Sequence, residues 1–426
     1  MSAFDKVIGY ETIKNELLQI CDMIHNSEVY ESLGAKLPQG ILLYGDPGLG
    51  KTMMARAFIE ECGIPAYTVR RNKSSEDFIG EITGAFEAAR NSAPAIVFLD
   101  DMDKFANEDS NHRDAEEYVA VQAAIDDSKG CGVFVLATVN EGYKLPDSLV
   151  RAGRFDVKIE FNSPMGSDAE LIIAHYLKSK RIAADVDMED LSKMLVSGSC
   201  ADLETVLNAA AIRAAYARKD SVHMDDLVQA VLRMQYNAPD LSVRKNDDDL
   251  RKIALHEAGH LVMSEVLAPG SVGLASLRTT GRDSVGGFIR RCRDLQNRRQ
   301  EILVALAGKA AVELSYAETC ASGCQSDIQR AYRLIRDGMS ENATLGFGMV
   351  DVATRRFPET SENMNSRSEA VTHAELERYM FKARDVLLRN REFLERATEA
   401  LIAKETLLYS DIRKLRSSVK ITEAAA

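Results

Sequence analysis

Residues 45–52, Gly45-Asp46-Pro47-Gly48-Leu49-Gly50-Lys51-Thr52, restrict what this chain can fold into more than any other stretch. They follow the short apolar run Gly40-Ile41-Leu42-Leu43-Tyr44 and lead into Met53 to Glu61, which favours a helix. A strand that passes through a glycine-rich loop straight into a helix gathers backbone N–H groups and the positive helix end at one point. Such a point suits a polyphosphate. In the GxxxxGKT pattern Lys51 reaches the β- and γ-phosphates of a nucleotide, and the Thr52 hydroxyl holds Mg²⁺.

Two further runs, Ala95-Ile96-Val97-Phe98-Leu99 and Val133-Phe134-Val135-Leu136-Ala137, are apolar and too short for helices. They alternate with helical patterns over residues 1–165, which predicts a parallel sheet covered by helices. The first of them ends in Asp100-Asp101, as expected of a strand neighbouring the phosphate-loop strand. There Asp100 would orient the Mg²⁺ shell and Asp101 would polarise the attacking water. Residues 166–238 read as helical throughout. Residues 239–250, with Pro239 and a run of three aspartates, read as a linker. A second, mostly helical region covers 251–417, and the polar or small residues 418–426 are expected to fray.

These stretches resemble the AAA ATPases. Ala137-Thr138-Val139-Asn140 is similar to the family's strand ending in a sensor asparagine, which implies that Asn140 stands near the γ-phosphate. Leu145-Pro146-Asp147-Ser148-Leu149-Val150-Arg151-Ala152-Gly153-Arg154-Phe155-Asp156 resembles the family's second region of homology. The resemblance gives Arg151 and Arg154 the role of facing a neighbouring subunit's nucleotide, so that ATP hydrolysis depends on ring assembly. Residues 166–238, with Ala201-Asp202-Leu203 opening a helix, look like the small lid domain. Phe78-Ile79-Gly80 is similar to the channel-loop tripeptide with which AAA unfoldases grip substrate. By residue type Phe78 fits a buried core as well.

The second region centres on His256-Glu257-Ala258-Gly259-His260, inside a proline-free, helix-favouring stretch from Ile253 to Leu267. Spacing i, i+4 puts both imidazoles on one helix face, where they can share Zn²⁺, and Glu257 stands beside them to take a proton from activated water. A catalytic zinc needs a third protein ligand, and no HExxHxxGxxH extension supplies it. Here the resemblance is to the FtsH family. Ala321-Ser322-Gly323-Cys324-Gln325-Ser326-Asp327-Ile328 is similar to that family's stretch ending Asn-Asp-Ile, which implies Asp327 as third ligand. At a helix start Asp327 would also suit the dipole without any metal. Leu306 to Leu314 resembles the helix behind the zinc site, with Glu313 either supporting the site or solvated. Ser284 to Ile289 looks like an edge strand for peptide binding, and Leu401 to Leu415 like the family's last helix.

The expected architecture is an α/β P-loop AAA ATPase module with an α-helical lid, followed by a mainly α-helical zinc metallopeptidase domain. The implied function is ATP-dependent unfolding, translocation and degradation of protein substrates, with ATP, Mg²⁺ and Zn²⁺, in a homo-hexamer. The alternative is an ATP-dependent remodelling or assembly factor with little proteolysis. A net charge of −12 offers nucleic acid no general attraction. No apolar run is long enough to span a membrane, no signal peptide is visible, and the seven scattered cysteines read as reduced thiols. A cytoplasmic location is expected. Two features depart from the family: Asp101 stands where it usually has glutamate, and the stretch from Gly80 to Phe86 is short.

Overall fold

The computed structural model describes residues 2–71, 75–106, 115–142, 145–151, 153–195, 198–238, 247–278, 286–316, 324–340 and 362–423. They form two compact units, one of Met1–Arg181 with Ser197–Asn208, the other of Ile182–Val196 with Ala209–Ala426. Residues 166–238, read from the sequence as one lid, are thus shared between the two.

The first unit opens with α1 (Glu11–His25) and α2 (Ser27–Ser32). It continues as β1 (Gly40–Gly45), α3 (Lys51–Cys62), β2 (Ala66–Val69), α4 (Ser75–Asn91), β3 (Ala95–Leu99), α5 (Ala115–Asp127), β4 (Val133–Val139), β5 (Val157–Phe161) and α6 (Ser167–Leu177). Among the described residues the strands make a five-stranded parallel sheet in the order β2-β3-β4-β1-β5. Its three middle strands are the three apolar runs, buried on both faces as a helix-covered parallel sheet requires. β3 is not the neighbour of β1, as the acidic pair led us to expect. β4 lies between them, with Leu43 opposite Thr138 and Leu99 opposite Ala137.

One face of the sheet is covered by α4, whose Phe78, Ile82, Phe86 and Ala89 form a helical stripe packed into the core beside Val97 and Val135. Elsewhere Phe58 of α3 meets Phe134 with ring centroids 6.4 Å apart. α1 packs on α3, and there Cys21 and Cys62, with Cα atoms 5.5 Å apart, form a disulfide. The expectation of seven reduced thiols is corrected by that pair, 41 positions apart in sequence and brought together only by helix packing. Cys131, Cys200, Cys292 and Cys324 are thiols.

The second unit contains α7 (Met188–Met194), the later part of α8 (Cys200–Tyr216), and α9 (Met224–Tyr236). Then follow α10 (Asp247–Leu267), β6 (Val272–Ser276), β7 (Phe288–Arg291), α11 (Arg298–Ser315), α12 (Gln325–Ser340), α13 (Glu362–Arg389), α14 (Arg391–Lys404), β8 (Thr406–Leu408) and α15 (Tyr409–Ser417). Its core lies between α10 and α11, where small residues let the helices approach closely. A Cβ on Gly259 would sit 2.5 Å from the Ala307 carbonyl oxygen and 2.7 Å from the Ala311 Cβ. Ala258, Leu261, Val262, Ile302 and Phe393 fill the surrounding space.

Three sequence expectations change here. α10 begins at Asp247, inside the expected linker, while residues 239–246 lie outside the described residues. Leu401 to Leu415 is not one helix: Glu405 turns with φ 60°, and Thr406–Leu408 becomes an edge strand paired antiparallel with β6. The expected fraying from 418 is not seen as far as Glu423. The Thr422 N–H donates to Asn390 Oδ1 (2.8 Å), the Asn390 amide donates back to the Thr422 carbonyl (3.0 Å), and Val419 and Ile421 pack on the core. The edge strand expected near Ser284 to Ile289 is present from Phe288, on the opposite side of β6 from β8; residues 284–285 are outside the described residues. No helix among the described residues is long and apolar enough to cross a membrane.

Candidate nucleotide and metal centres

The phosphate loop leaves β1 at Gly45, and Gly48 and Gly50 take φ of 79° and 90°, a region that β-carbon-bearing residues avoid. Asp46, Pro47 and Gly48 are exposed, whereas the Leu49 side chain is buried and anchors the loop from below. The Gly48 carbonyl accepts from Ala201 N (3.2 Å), so the first turn of α8 rests on this loop. Lys51 opens α3 and is only 5% exposed; its ammonium donates to the carbonyls of Gly45 and Asp46, 2.7 Å each. Burial pulls Lys51 below its ordinary pKa, against the opposing pull of Asp101, Asp103 and Asp46.

Because β4 separates β1 from β3, residues from three strand ends converge. Thr52 Oγ1 donates to Asp100 Oδ1 (2.9 Å), and Thr138 Oγ1 donates to the same oxygen (2.9 Å). The Thr138 oxygen also accepts the Asp101 N–H (2.9 Å). Asn140 Nδ2 donates to Asp101 Oδ1 (3.2 Å). Asp101 holds a left-handed backbone, φ 54°, sparsely populated for a residue with a side chain and kept here by those contacts. Burial would raise its carboxyl pKa, but Lys104, Asn140 and Arg70 outweigh that and hold it below the ordinary range. Thr138 was passed over in the sequence, although it sits two residues before Asn140. Its role follows from strand order. A loop of N–H groups, a lysine, and a hydroxyl touching a buried carboxylate form the donor set that Mg²⁺ and ATP require.

Arg151 and Arg154 part company. Arg151 is exposed. Arg154 is 3% exposed and bound within its own unit: its guanidinium donates to both oxygens of Asp126 (3.1 and 2.6 Å) and to the Ser148 carbonyl. Its expected role toward a neighbouring subunit's nucleotide is therefore corrected; it ties the loop before β5 to α5. Phe78 is also corrected. It is fully buried on α4, edge-on to Phe105 with centroids 5.0 Å apart, and is unable to grip a substrate from there. Ile79 is half-buried and Gly80 exposed.

In the second unit α10 presents His256 and His260 one turn apart, and α12 brings Asp327 in its first turn. Asp327 Oδ2 lies 3.1 Å from His256 Nε2 and 3.3 Å from His260 Nε2, and the two Nε2 atoms are 3.1 Å apart. His260 Nδ1 donates to the Val304 carbonyl (2.7 Å), which leaves its Nε2 lone pair directed at the cluster. His256 Nδ1 lies 3.8 Å from the Cys324 sulfur. Burial would raise the Asp327 carboxyl, but hydrogen bonds from His256 and His260 prevail and hold it well below the usual carboxylate range. Glu257 is 5% exposed, and burial pushes its carboxyl up despite the nearby histidines and the Gly287 amide.

Two nitrogens and one carboxylate oxygen within 4.8 Å of one another, from two helices, form the donor set of a zinc site. The geometry also shows why two glycines are there. A Cβ on Gly308 of α11 would lie 2.5 Å from His256 Cε1 and 2.7 Å from its Nδ1. One on Gly287 would lie 2.7 Å from Glu257 Cγ. Sequence reading passed over both glycines, since nothing local marks a glycine that makes room for a distant ring. Glu313 pairs with Lys309 (2.7 Å) and Arg384, which accounts for it as a helix ion pair.

Comparison with known proteins finds one family match on each of the two stretches that carry these residues. Residues 41–163 match the model of the ATPase family associated with various cellular activities (AAA), and residues 243–415 match that of peptidase family M41. The ATP-dependent zinc metalloprotease FtsH 3 of Symbiobacterium thermophilum is 31% identical over 443 residues, covering 97% of this chain and 70% of that protein. The ATP-dependent zinc metalloprotease FtsH of Leptotrichia buccalis is 31% identical over 444 residues, covering 98% of this chain and 57% of that protein. That of Methylibium petroleiphilum is 30% identical, with 95% and 71% covered. The chain therefore spans between about half and three quarters of the length of these relatives. With the two family matches in order along the chain and this identity over nearly all of it, the chain belongs to the FtsH family of ATP-dependent zinc metalloproteases.

Proposed function

We propose that this chain is an ATP-dependent zinc metalloendopeptidase that unfolds, translocates and degrades protein substrates, acting as a hexameric ring in the cytoplasm. The observation that carries the reading is the convergence of His256, His260 and Asp327 with a buried Glu257 beside them. In this proposal those three residues hold zinc. When bound, zinc supplies the acid that activates water and polarises the peptide carbonyl. Glu257 takes the proton on its carboxylate and returns it to the leaving amine; a carboxyl whose pKa burial raises suits both transfers. β7 offers an edge on which an extended peptide can pair by its main chain.

The motor reading rests on the second cluster. Residues 45–52 cradle the phosphates, Thr52 and Asp100 hold Mg²⁺, and Asp101 with Asn140 positions the attacking water. Of the two arginines, exposed Arg151 is the one left to act across a subunit boundary. We assign residues 1–165 to nucleotide binding, 166–238 to the lid and 251–417 to the peptidase. The test is zinc content together with casein cleavage, on the parent and on Glu257→Gln. One zinc per chain in both, with cleavage lost in the variant, supports the reading. A zinc-free parent, or a variant as active as the parent, sinks it and leaves a remodelling factor.

A further inference from the structure

Asp100 and Asp101 place adjacent negative charges at the end of β3, and Asp100 is 2% exposed. A carboxylate so buried needs donors or a counter-charge. Oδ1 of Asp100 has its donors in the hydroxyls of Thr52 and Thr138. Oδ2 faces Arg70, whose Nε is 4.0 Å away. A second nitrogen of the same guanidinium is 3.8 Å from Asp101 Oδ2. One planar cation thus spans both carboxylates, as the geometry of arginine allows. Lys104 reaches Asp101 alone, at 2.6 Å. Among the described residues Arg70 is the cation paired with Asp100.

The backbone holds Arg70 in that place. It follows the last residue of β2, Val69 stands opposite Leu99 in the sheet, and the Asp100 N–H donates to the Val69 carbonyl (3.0 Å). The side chain itself is 59% exposed, so its charged head can swing away while its root stays fixed. A cation at this point and a divalent ion held by Thr52 and Asp100 draw on the same negative charge.

We propose that Arg70 is a positioning residue of the motor site: it is the counter-ion of the Asp100–Asp101 pair in the empty chain, competes there with Mg²⁺, and sets the Mg²⁺ concentration at which nucleotide is held. This rests on the nucleotide-site reading above, and the experiment separates the two. Fluorescently labelled ADP is bound to the full chain while MgCl₂ is titrated, for the parent, Arg70→Ala and Arg70→Lys. Removing one charge near 4 Å lowers the Mg²⁺ midpoint of Arg70→Ala by about fivefold, the effect of such a charge even at the dielectric of water. Arg70→Lys, which keeps the charge but lacks the fork that spans both carboxylates, shifts the midpoint less than Arg70→Ala. The difference shrinks from about 0.1 M to about 1 M KCl, as the screening length falls from about 10 Å to about 3 Å. Without Mg²⁺ the melting temperature of Arg70→Ala falls below that of the parent and Arg70→Lys restores most of it, because the buried Asp100 loses its counter-charge only in the alanine variant. An unchanged midpoint in Arg70→Ala, an equal shift in Arg70→Lys, or a shift indifferent to salt overturns the proposal. A parent that fails to hold the probe at any Mg²⁺ concentration overturns the nucleotide site as well.

Discussion

Arg151 and Arg154 are three positions apart and have opposite fates, which separates their expected mutational effects. Arg154 is buried and donates to Asp126, so Arg154→Ala leaves Asp126 and the Ser148 carbonyl without their partner. Loss of such a charged hydrogen bond costs about 1.5–3 kcal/mol, toward the low end here because Asp126 is partly exposed. Thermal unfolding of Arg154→Ala should begin several degrees lower. Arg151→Ala should melt like the parent and lose ATPase activity; equal melting losses in both would contradict the assignment. The Asp126 carboxyl is held well below the usual range by Arg154 first and Lys129 second. A depressed folded-state value means that the pair contributes fully above the unfolded value, about 3.9, and weakens as pH falls through and below it. Melting temperature should therefore drop less steeply below about pH 4 in Asp126→Asn than in the parent. Phe78→Ala should destabilise the first unit by about 3–5 kcal/mol, as truncation of a fully buried phenylalanine does. Lys51, Asp100, Asn140 and the histidine pair could be picked out at single positions, because spacing carries the chemistry proposed for them. The burial of Phe78 and Arg154 could not be, because burial is set by residues distant in sequence.

Between elements, the zinc-site geometry depends on how closely α10 and α11 approach. Gly308→Ala improves helix propensity yet puts a methyl group into the space of His256 and His260. It should leave the helical circular dichroism intact and weaken zinc retention against a chelator by about tenfold or more, the scale on which disturbed ligand orientation acts. Retention equal to the parent would show that the helices can give way. Legibility of elements followed the same logic. β1, β3 and β4 stand out in the sequence because both faces are buried and the runs are continuously apolar. β2 and β5 are sheet edges with mixed burial, and Val157-Lys158-Ile159-Glu160-Phe161 alternates like a surface strand. β8, three residues between two helices, was hidden inside an apparent helix; only the left-handed Glu405 breaks it. Strand order was illegible too, and with it the place of Thr138 between the phosphate loop and the acidic pair.

For the molecule as a whole, two centres lie on separate units, and in the proposed function one breaks peptide bonds and the other drives unfolding. Chelation with o-phenanthroline should stop cleavage of casein while leaving ATP hydrolysis measurable. Loss of both together would argue that zinc supports the fold rather than the chemistry. Family and both motifs were readable from residues alone, since each is local. The proposed coupling of ATP hydrolysis to unfolding was not, because no motif spacing encodes it. Degradation of a stably folded protein by the full chain, with ATP, without ATP and with a non-hydrolysable analogue, tests that coupling directly. The folded substrate should be lost only with hydrolysable ATP, and not by Glu257→Gln under any condition. Cleavage of the folded protein at the same rate without ATP would contradict the proposed function.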